Sequence, residues 1–247
     1  MLDDVHFVLS HTTHPGNIGA AARALKTMGL EHLRLVNPKH FPSAEATRRA
    51  SRADDILQRT EVFDAIQPAI AEHKLIVGTS ARSRTLPWPM LEPRELAQKI
   101  AKDPTQRPVA ILFGTENSGL TNEELSLCHY HVCIPTNPDY SSLNVASAIQ
   151  LIAYELRLAA LDENLLKTDH PVIDDEGELP ASCEQVEQMF EHWQQVMTST
   201  GFFKPIKPKM IQMRFRRLFN KAALTDSEVR LMRGFLASIK KFNSEEG

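Results

Sequence analysis

The sequence predicts an α/β protein in which an open sheet of mostly parallel strands precedes a small all-helical C-terminal extension. Five short runs rich in Val, Ile and Leu are almost continuously apolar and are bounded by Gly, Pro or Asn, which is typical of buried parallel strands. Segments with helical periodicity lie between these runs, and such alternation favours a parallel sheet. Residues 183–247 carry helical patterns only.

The predicted elements follow one another along the chain. The strands are Val5–Ser10, Leu33–Asn37, Lys74–Ser80, Val109–Gly114 and His131–Pro135. The helices among and after them are Asn17–Met28, Glu45–Gln58, Phe63–Glu72, Arg94–Ala101 and Leu143–Leu161. The last of these helices is apolar around most of its circumference, so we expect a second subunit to cover part of it.

Composition excludes several classes of protein. The chain has 247 residues, of which 42% are hydrophobic and 24% charged, so collagen-like, disordered and disulfide-scaffold classes are ruled out. Its apolar runs are shorter than the roughly 20 residues that span a bilayer, and the N-terminus MLDDVHF is too acidic for a signal peptide. Three cysteines favour a reducing compartment, and we expect a cytoplasmic protein without a membrane partner.

Charge divides the chain into three parts. Residues 1–161 have a net charge of −1, residues 162–191 of −9 and residues 192–243 of +9. We therefore predict a first domain over 1–162, an acidic linker over 163–182 and a basic helical extension over 183–247. Helices are expected at Glu184–Thr198, Pro208–Ala222 and Asp226–Phe242. A basic extension suggests RNA binding, here by Arg214, Arg216, Arg217 and Lys221, although a solvated helical face is the alternative.

Polar loops follow four of the predicted strands. They read HTTHPGNIGAAAR, TSARSR, GTENSGL and PTNPDYSSLN. In an open parallel sheet, ligands bind beyond the carboxyl ends of the strands, so these loops predict one site at one edge. The G-x-G-x-x-G fingerprint and the Walker A lysine are both missing, which disfavours a dinucleotide oxidoreductase and nucleotide triphosphate hydrolysis.

Three motifs in these loops carry a family resemblance. The pattern N-x-G-x-x-x-R is met by Asn17, Gly19 and Arg23. The pattern F-G-x-E-x-x-G-L is met by Phe113, Gly114, Glu116, Gly119 and Leu120. A strand end followed by S-L-N-x-x-x-A is met by Ile134, Pro135, Ser142, Leu143, Asn144 and Ala148. Together they make residues 1–160 similar to the SPOUT superfamily, and specifically to the TrmH-like RNA ribose 2′-O-methyltransferases that act on tRNA.

The resemblance implies a fold, a cofactor and a substrate. It implies a C-terminal trefoil knot, a homodimer, S-adenosyl-L-methionine as cofactor, and methylation of cytidine or uridine at nucleotide 32 of the tRNA anticodon loop. The implied cofactor-binding residues are Thr79, Ser80, Ala81, Gly114, Ile134, Ser141, Ser142 and Leu143. Gly114 is suited to such a site because a glycine admits close backbone approach, and a larger residue would take up adenine space.

The resemblance also implies the catalytic residues, which are Arg23, Asn17, Glu116, Ser142 and Asn144. It gives Arg23 the role of base, but a guanidinium has a pKa above about 12. We therefore expect Arg23 to clamp a phosphate or hydroxyl group and to stabilise the developing oxyanion. Arg82 and Arg84 are expected to contact phosphates.

Other functions remain open at this point. Methylation of ribosomal RNA is one alternative, and a non-catalytic RNA-binding or assembly factor is another. The run from Cys128 to Cys133 contains two Cys and two His and looks like part of a zinc site. It has no second Cys/His pair at standard spacing, so we predict packing there and no metal. Trp88 is either a loop anchor or a platform on which RNA stacks.

Overall fold

The computed structural model describes residues 1–80, 88–162, 179–203 and 208–245. The chain divides into two compact units, Met1–Val172 and Ile173–Gly247. In the described parts of the chain, no helix is long and apolar enough to cross a membrane. The linker predicted over 163–182 lies largely outside the described residues. Its last residues pack within the second unit, where Ala181 is buried and its N–H donates to the Leu224 carbonyl at 2.9 Å.

The first unit is built on a parallel sheet, as predicted. Its strands are β1 Val5–Ser10, β2 His32–Val36, β3 Glu61–Phe63, β4 Leu75–Thr79, β5 Met90–Leu91, β6 Val109–Phe113 and β7 Tyr130–Val132. The described strands form a seven-stranded sheet in the order β3-β2-β1-β6-β4-β7-β5, and every neighbouring pair is parallel. The central strands β1, β4 and β6 are almost fully buried, which explains their continuous apolar runs.

Seven α-helices are described in the first unit. They are α1 Pro15–Met28, α2 Ala44–Ala50, α3 Asp54–Arg59, α4 Ile66–Ile70, α5 Pro93–Lys102, α6 Asn122–Ser126 and α7 Val145–Leu161. Two 3-10 turns, Leu2–Asp4 and Pro104–Gln106, complete it. Helices α1 and α7 supply Ile18, Leu25, Ile149, Ile152 and Leu156 to the same core as the sheet.

Two sequence expectations about these elements are wrong. The helix predicted over Glu45–Gln58 is two helices, because Ser51 and Arg52 adopt left-handed backbone conformations with φ of 48° and 75°. The helix predicted from Phe63 begins only at Ile66, because Glu61–Phe63 pairs with β2 as an edge strand. That strand was missed because it is three residues long and has no apolar run of its own.

The second unit is helical, as predicted. It contains α8 Cys183–Ser199, α9 Pro208–Ala222 and α10 Asp226–Glu245. Thr225 and Glu228 form a capping box before α10, with the Thr225 N–H donating to Glu228 Oε2 at 2.8 Å. Its aromatic core centres on Trp193, whose ring lies 4.1 Å from that of Phe215 between centroids.

Candidate active site

The loops after β4, β6 and β7 surround one cavity of about 830 Å³ at the carboxyl edge of the sheet. This is the edge where parallel α/β sheets bind ligands, and the volume suits a small-molecule cofactor. The cavity is lined by seven of the residues predicted to bind cofactor, namely Thr79, Ser80, Gly114, Ile134, Ser141, Ser142 and Leu143. Ala81, Arg82 and Arg84 lie outside the described residues.

The loop from Gly114 to Leu120 folds back tightly on itself. The Gly119 N–H donates to the Thr115 carbonyl at 2.9 Å, and Gly119 adopts a left-handed conformation with φ of 68°. A Cβ on Gly114 would lie 2.0 Å from the carbonyl carbon of Gly119 and 2.1 Å from the Leu120 nitrogen. Gly114 is therefore required by the backbone of its own loop, and it also lines the cavity.

The carboxylate of Glu116 joins this loop to the loop between β1 and α1. Its Oε2 accepts hydrogen bonds from the Thr13 hydroxyl at 2.9 Å and the Thr13 N–H at 3.2 Å. Its Oε1 accepts from Asn17 Nδ2 at 2.9 Å and from the His14 N–H at 3.3 Å. Burial raises the pKa of the Glu116 carboxyl, but the hydrogen bonds from Asn17 and Thr13 outweigh it and hold that pKa below its ordinary value.

The same network continues to the start of α7. Asn17 Oδ1 accepts a hydrogen bond from Asn144 Nδ2 at 3.0 Å. Asn144 is also the N-cap of α7, since its Oδ1 accepts from the Ala146 N–H at 2.9 Å. At the start of α1, His14 is the N-cap, and its Nδ1 accepts from the Gly16 N–H at 3.2 Å. The structure thus brings Glu116, Asn17 and Asn144 together.

The remaining two predicted catalytic residues stand apart from this network. Ser142 lines the cavity. Arg23 lies on α1, is exposed and has no carboxylate partner among the residues that the structure describes. Its backbone carbonyl accepts a hydrogen bond from the Thr27 hydroxyl at 2.8 Å.

Three site residues were missed by the sequence reasoning. Thr13 and His14 supply three of the four donors to Glu116, and Tyr140 lines the cavity while remaining 80% exposed. The signal for the first two was their position directly before a helix N-terminus, where polar residues cap and orient the chain. The signal for Tyr140 was a lone aromatic in an otherwise polar loop.

One group of described residues has the types and spacing of metal ligands, namely His6, Glu72 and His73. The group lies at the amino ends of the strands, away from the cavity. The guanidinium of Arg34 already donates to Glu72 Oε1 at 2.5 Å, and His73 Nε2 lies 2.8 Å from His6 Nδ1. Burial lowers the pKa of His6 to about 3 and that of His73 to about 4, so both rings are neutral at pH 7. This arrangement is a partly buried polar cluster built around Arg34.

The run from Cys128 to Cys133 is used in packing. His129 Nδ1 accepts the Ile76 N–H at 3.0 Å, and Cys128 Sγ lies 3.5 Å from the Glu124 carbonyl. Trp88 is buried, donates from Nε1 to the Cys128 carbonyl at 2.8 Å and stacks on His131 with centroids 5.4 Å apart. Trp88 is therefore a loop anchor.

The basic residues predicted to bind RNA in the second unit differ in their surroundings. Arg214 and Lys221 are exposed on α9, and Arg217 is half-buried. Arg216 instead forms two hydrogen bonds to the Glu187 carboxylate, one of them at 2.9 Å, and its guanidinium carbon lies 4.3 Å from the centre of the Phe190 ring. The charge of Arg216 is therefore paired within the unit, and its contact with RNA stays a prediction.

Family models match both units of the chain. The SpoU rRNA Methylase family matches residues 4–154, and the C-terminal domain of tRNA methyltransferase TrmJ matches residues 184–247. The chain belongs to the SpoU methylase family, which confirms the resemblance carried by the three motifs.

Relatives that match the whole length of the chain show which group within the family it belongs to. A tRNA (cytidine/uridine-2'-O-)-methyltransferase TrmJ from Sodalis glossinidius is 47% identical over 246 residues, covering 100% of this chain and 95% of that protein. TrmJ from Cronobacter sakazakii is 47% identical over 247 residues, with 100% of both chains covered. The crystal structure of TrmJ from Z. mobilis ZM4 has a TM-score of 0.83 at 32% identity, covering 95% of this chain and 98% of that one. Within its family, the chain is a member of the TrmJ group.

The surroundings of Arg216 predict a structural role that can be measured. Arg216→Gln breaks the paired hydrogen bonds to Glu187, whose side chain is 22% exposed, and should lower the free energy of unfolding by about 2 kcal/mol. The matched change Arg214→Gln, at an exposed position on the same helix, should alter it by less than about 0.5 kcal/mol. Scanning calorimetry of both variants is the test. If Arg216→Gln had the same free energy of unfolding as the native chain, the ion pair between Arg216 and Glu187 would contribute nothing to the stability of the fold.

Proposed function

We propose that this chain transfers a methyl group from S-adenosyl-L-methionine to the ribose 2′-hydroxyl of cytidine or uridine at nucleotide 32 of tRNA. The observation that carries the proposal is the Glu116–Asn17–Asn144 network beside the cavity, in a chain of the TrmJ group. The relatives from Sodalis glossinidius and Cronobacter sakazakii are tRNA (cytidine/uridine-2'-O-)-methyltransferases by name. The position within the anticodon loop is supported by the motif resemblance.

The cavity fits the proposed cofactor. Its walls combine apolar side chains such as Leu120 and Ile134 with the hydroxyls of Ser141 and Ser142, as an adenine and a ribose require. Thr79 is held in place by donating from its hydroxyl to the Leu112 carbonyl at 2.9 Å. When bound, S-adenosyl-L-methionine supplies a methyl group already activated on a sulfonium. The trefoil knot that the resemblance implies around such a cofactor stays a prediction.

The protein's own contribution is then alignment and charge stabilisation. Glu116 is unsuited to be the base, because each of its two carboxylate oxygens already accepts two hydrogen bonds and the pKa of the carboxyl is lowered. Its role is to hold Asn17, whose amide in turn holds Asn144. The guanidinium of Arg23 has no carboxylate partner among the described residues, so it is available to bind the substrate ribose or its phosphate and to stabilise the oxyanion.

The proposed partner is tRNA, bound by residues of both units. Exposed Arg214 and Lys221, with half-buried Arg217, would contact phosphates from the second unit, as Arg82 and Arg84 would from the first. We further propose a cytoplasmic location, supported by three cysteines that form no disulfide.

The test of this function is methyl transfer to tRNA, followed by nucleoside analysis of the product. The purified protein with S-adenosyl-L-methionine and a tRNA carrying cytidine 32 should yield 2′-O-methylcytidine, and a tRNA with purine 32 should remain unmodified. Arg23→Gln should lower kcat by about 100-fold with unchanged S-adenosylhomocysteine affinity, because the oxyanion loses its charged donor. Arg94→Gln, which removes an arginine paired with Glu155, is the matched control.

Two results would contradict this proposal. Transfer to ribosomal RNA but not to tRNA would favour the rRNA alternative. RNA binding without any transfer would identify a non-catalytic RNA-binding factor.

We also propose that the chain forms a homodimer through α7. Four large apolar side chains on that helix are between 40% and 62% exposed in the single chain, namely Leu151, Tyr154, Leu158 and Leu161. Their spacing of three and four residues puts them on one stripe, opposite the face that packs on α1 and α5. A contiguous apolar stripe of this kind is typical of a subunit interface.

The oligomeric state is measured by gel filtration coupled to light scattering. The native chain should elute as a dimer, and Leu151→Glu/Leu158→Glu should elute as a folded monomer, because two buried charges oppose the contact. Val62→Glu, at an exposed apolar position of the edge strand β3, should remain dimeric. A monomeric native chain, or a dimeric double variant, would show that this stripe is not the interface.

A further inference from the structure

We propose that three arginines at the end of α2, Arg48, Arg49 and Arg52, form an arginine ridge that binds phosphates of the tRNA beside Arg23. The ridge would hold the RNA on the first unit itself, close to the cavity. This inference rests on the proposed function, because it assumes that the substrate is tRNA. It assigns an RNA contact to residues that no motif contains.

Helices α1 and α2 run side by side in the same direction. A Cβ on Gly16 would lie 3.2 Å from Glu45 Oε1, and a Cβ on Gly19 would lie 2.0 Å from the Ala46 carbonyl oxygen. Further along, Lys26 Nζ donates to the Arg52 carbonyl at 3.0 Å. Residues further along α1 therefore contact residues further along α2. Gly19 is required because the two helix backbones touch at that position.

This alignment sets the ridge next to Arg23. A Cβ on Gly19 would lie 2.9 Å from the Cβ of Arg49, so Arg49 begins at the level of Gly19. The Arg52 carbonyl is contacted by the side chain of Lys26, which is two turns after Gly19 on α1. Arg23 is one turn after Gly19 on α1 and one turn before the end of that helix, so it lies between these two levels.

The ridge is held on a fixed piece of backbone. Ala50 and Ala53 are both buried, and the Ala53 N–H donates to the Ala50 carbonyl at 3.1 Å. Between them, Ser51 and Arg52 have φ of 48° and 75°, a conformation that residues with side chains rarely adopt. The segment is therefore fixed by burial on each side, while Arg48, Arg49 and Arg52 are exposed.

The charges of the ridge are not neutralised within the described chain. Arg49, Arg52 and Arg23 have no carboxylate within ion-pair distance among the described residues, and Arg48 has only Glu45, at 3.9 Å. Three other arginines of the unit, Arg34, Arg59 and Arg94, each lie 3.1 Å or less from at least one carboxylate oxygen. Clustered unpaired arginines repel one another and favour an anionic partner.

The chemistry of the ridge fits phosphate. All three residues are arginines, whose planar guanidinium binds phosphate oxygens in bidentate geometry and is more weakly hydrated than an ammonium. Phosphate contacts position an RNA without reading its sequence, which is what a methyltransferase must do to present one ribose to a fixed cavity. We therefore expect the ridge to affect tRNA binding and not the chemical step.

The experiment compares two double variants with the same change of charge. Arg49→Gln/Arg52→Gln removes two unpaired ridge arginines, and Arg59→Gln/Arg94→Gln removes two arginines that are paired with carboxylates. Filter binding to unmodified tRNA over a series of salt concentrations gives Kd and its salt dependence. S-adenosylhomocysteine affinity and kcat at saturating tRNA are measured on the same preparations.

The ridge variant should bind tRNA about tenfold more weakly, and the slope of log affinity against log salt should fall by about 1 to 2, since each lost phosphate contact removes about 0.7 to 0.9. Its kcat and S-adenosylhomocysteine affinity should match the native chain. The control should match the native chain in all measurements. An unchanged slope in the ridge variant, an equal loss in the control, or a fall in kcat with unchanged Kd would overturn the proposal. Failure of the native chain to methylate any tRNA would instead overturn the proposed function, because RNA binding is measured without turnover.

Discussion

The carboxylate of Glu116 is the interaction on which the candidate site depends. It accepts four hydrogen bonds, three of them from Thr13 and His14 in a loop about a hundred residues away along the chain. Such donors stabilise the charged form of this half-buried carboxylate, and backbone N–H groups before a helix need an acceptor in return. This exchange fixes the loop after β1 against the loop after β6. Through Asn17 it also fixes Asn144 and the start of α7.

Sequence reasoning predicted the sheet because the buried strands are apolar on both faces, and it placed the cavity because parallel strands end at one edge. It could not derive the Glu116–Asn17–Asn144 network from local patterns, since the two side-chain contacts join residues 99 and 127 positions apart. Only the family resemblance named those three residues. The need for glycine at position 114 within its own loop could not be derived either, because the atoms that its Cβ would strike belong to a turn that local periodicity does not predict.

Arginines that are paired with carboxylates stabilise the fold, whereas unpaired arginines are available to RNA. The sequence does not show which arginines are paired. Arg216 lies in the basic segment that suggested RNA binding, yet Glu187 and Phe190 occupy its guanidinium. Arg49 and Arg52 lie in a segment of unremarkable net charge, yet no described carboxylate pairs with them. Net charge identified the second unit as basic but gave no information on which individual charges remain free.

A double-mutant cycle between Glu116 and Asn144 tests most directly whether Glu116 organises the site through Asn17. Glu116→Gln removes two acceptor positions, and Asn144→Asp keeps the N-cap oxygen for Ala146 while removing the donor to Asn17. If the network acts as a unit, the double variant should lose less kcat/KM than the product of the single losses. The coupling energy should then be at least about 0.5 kcal/mol, although the two side chains are joined only through Asn17. Strictly additive losses would contradict the account, because Glu116 and Asn144 would then act independently.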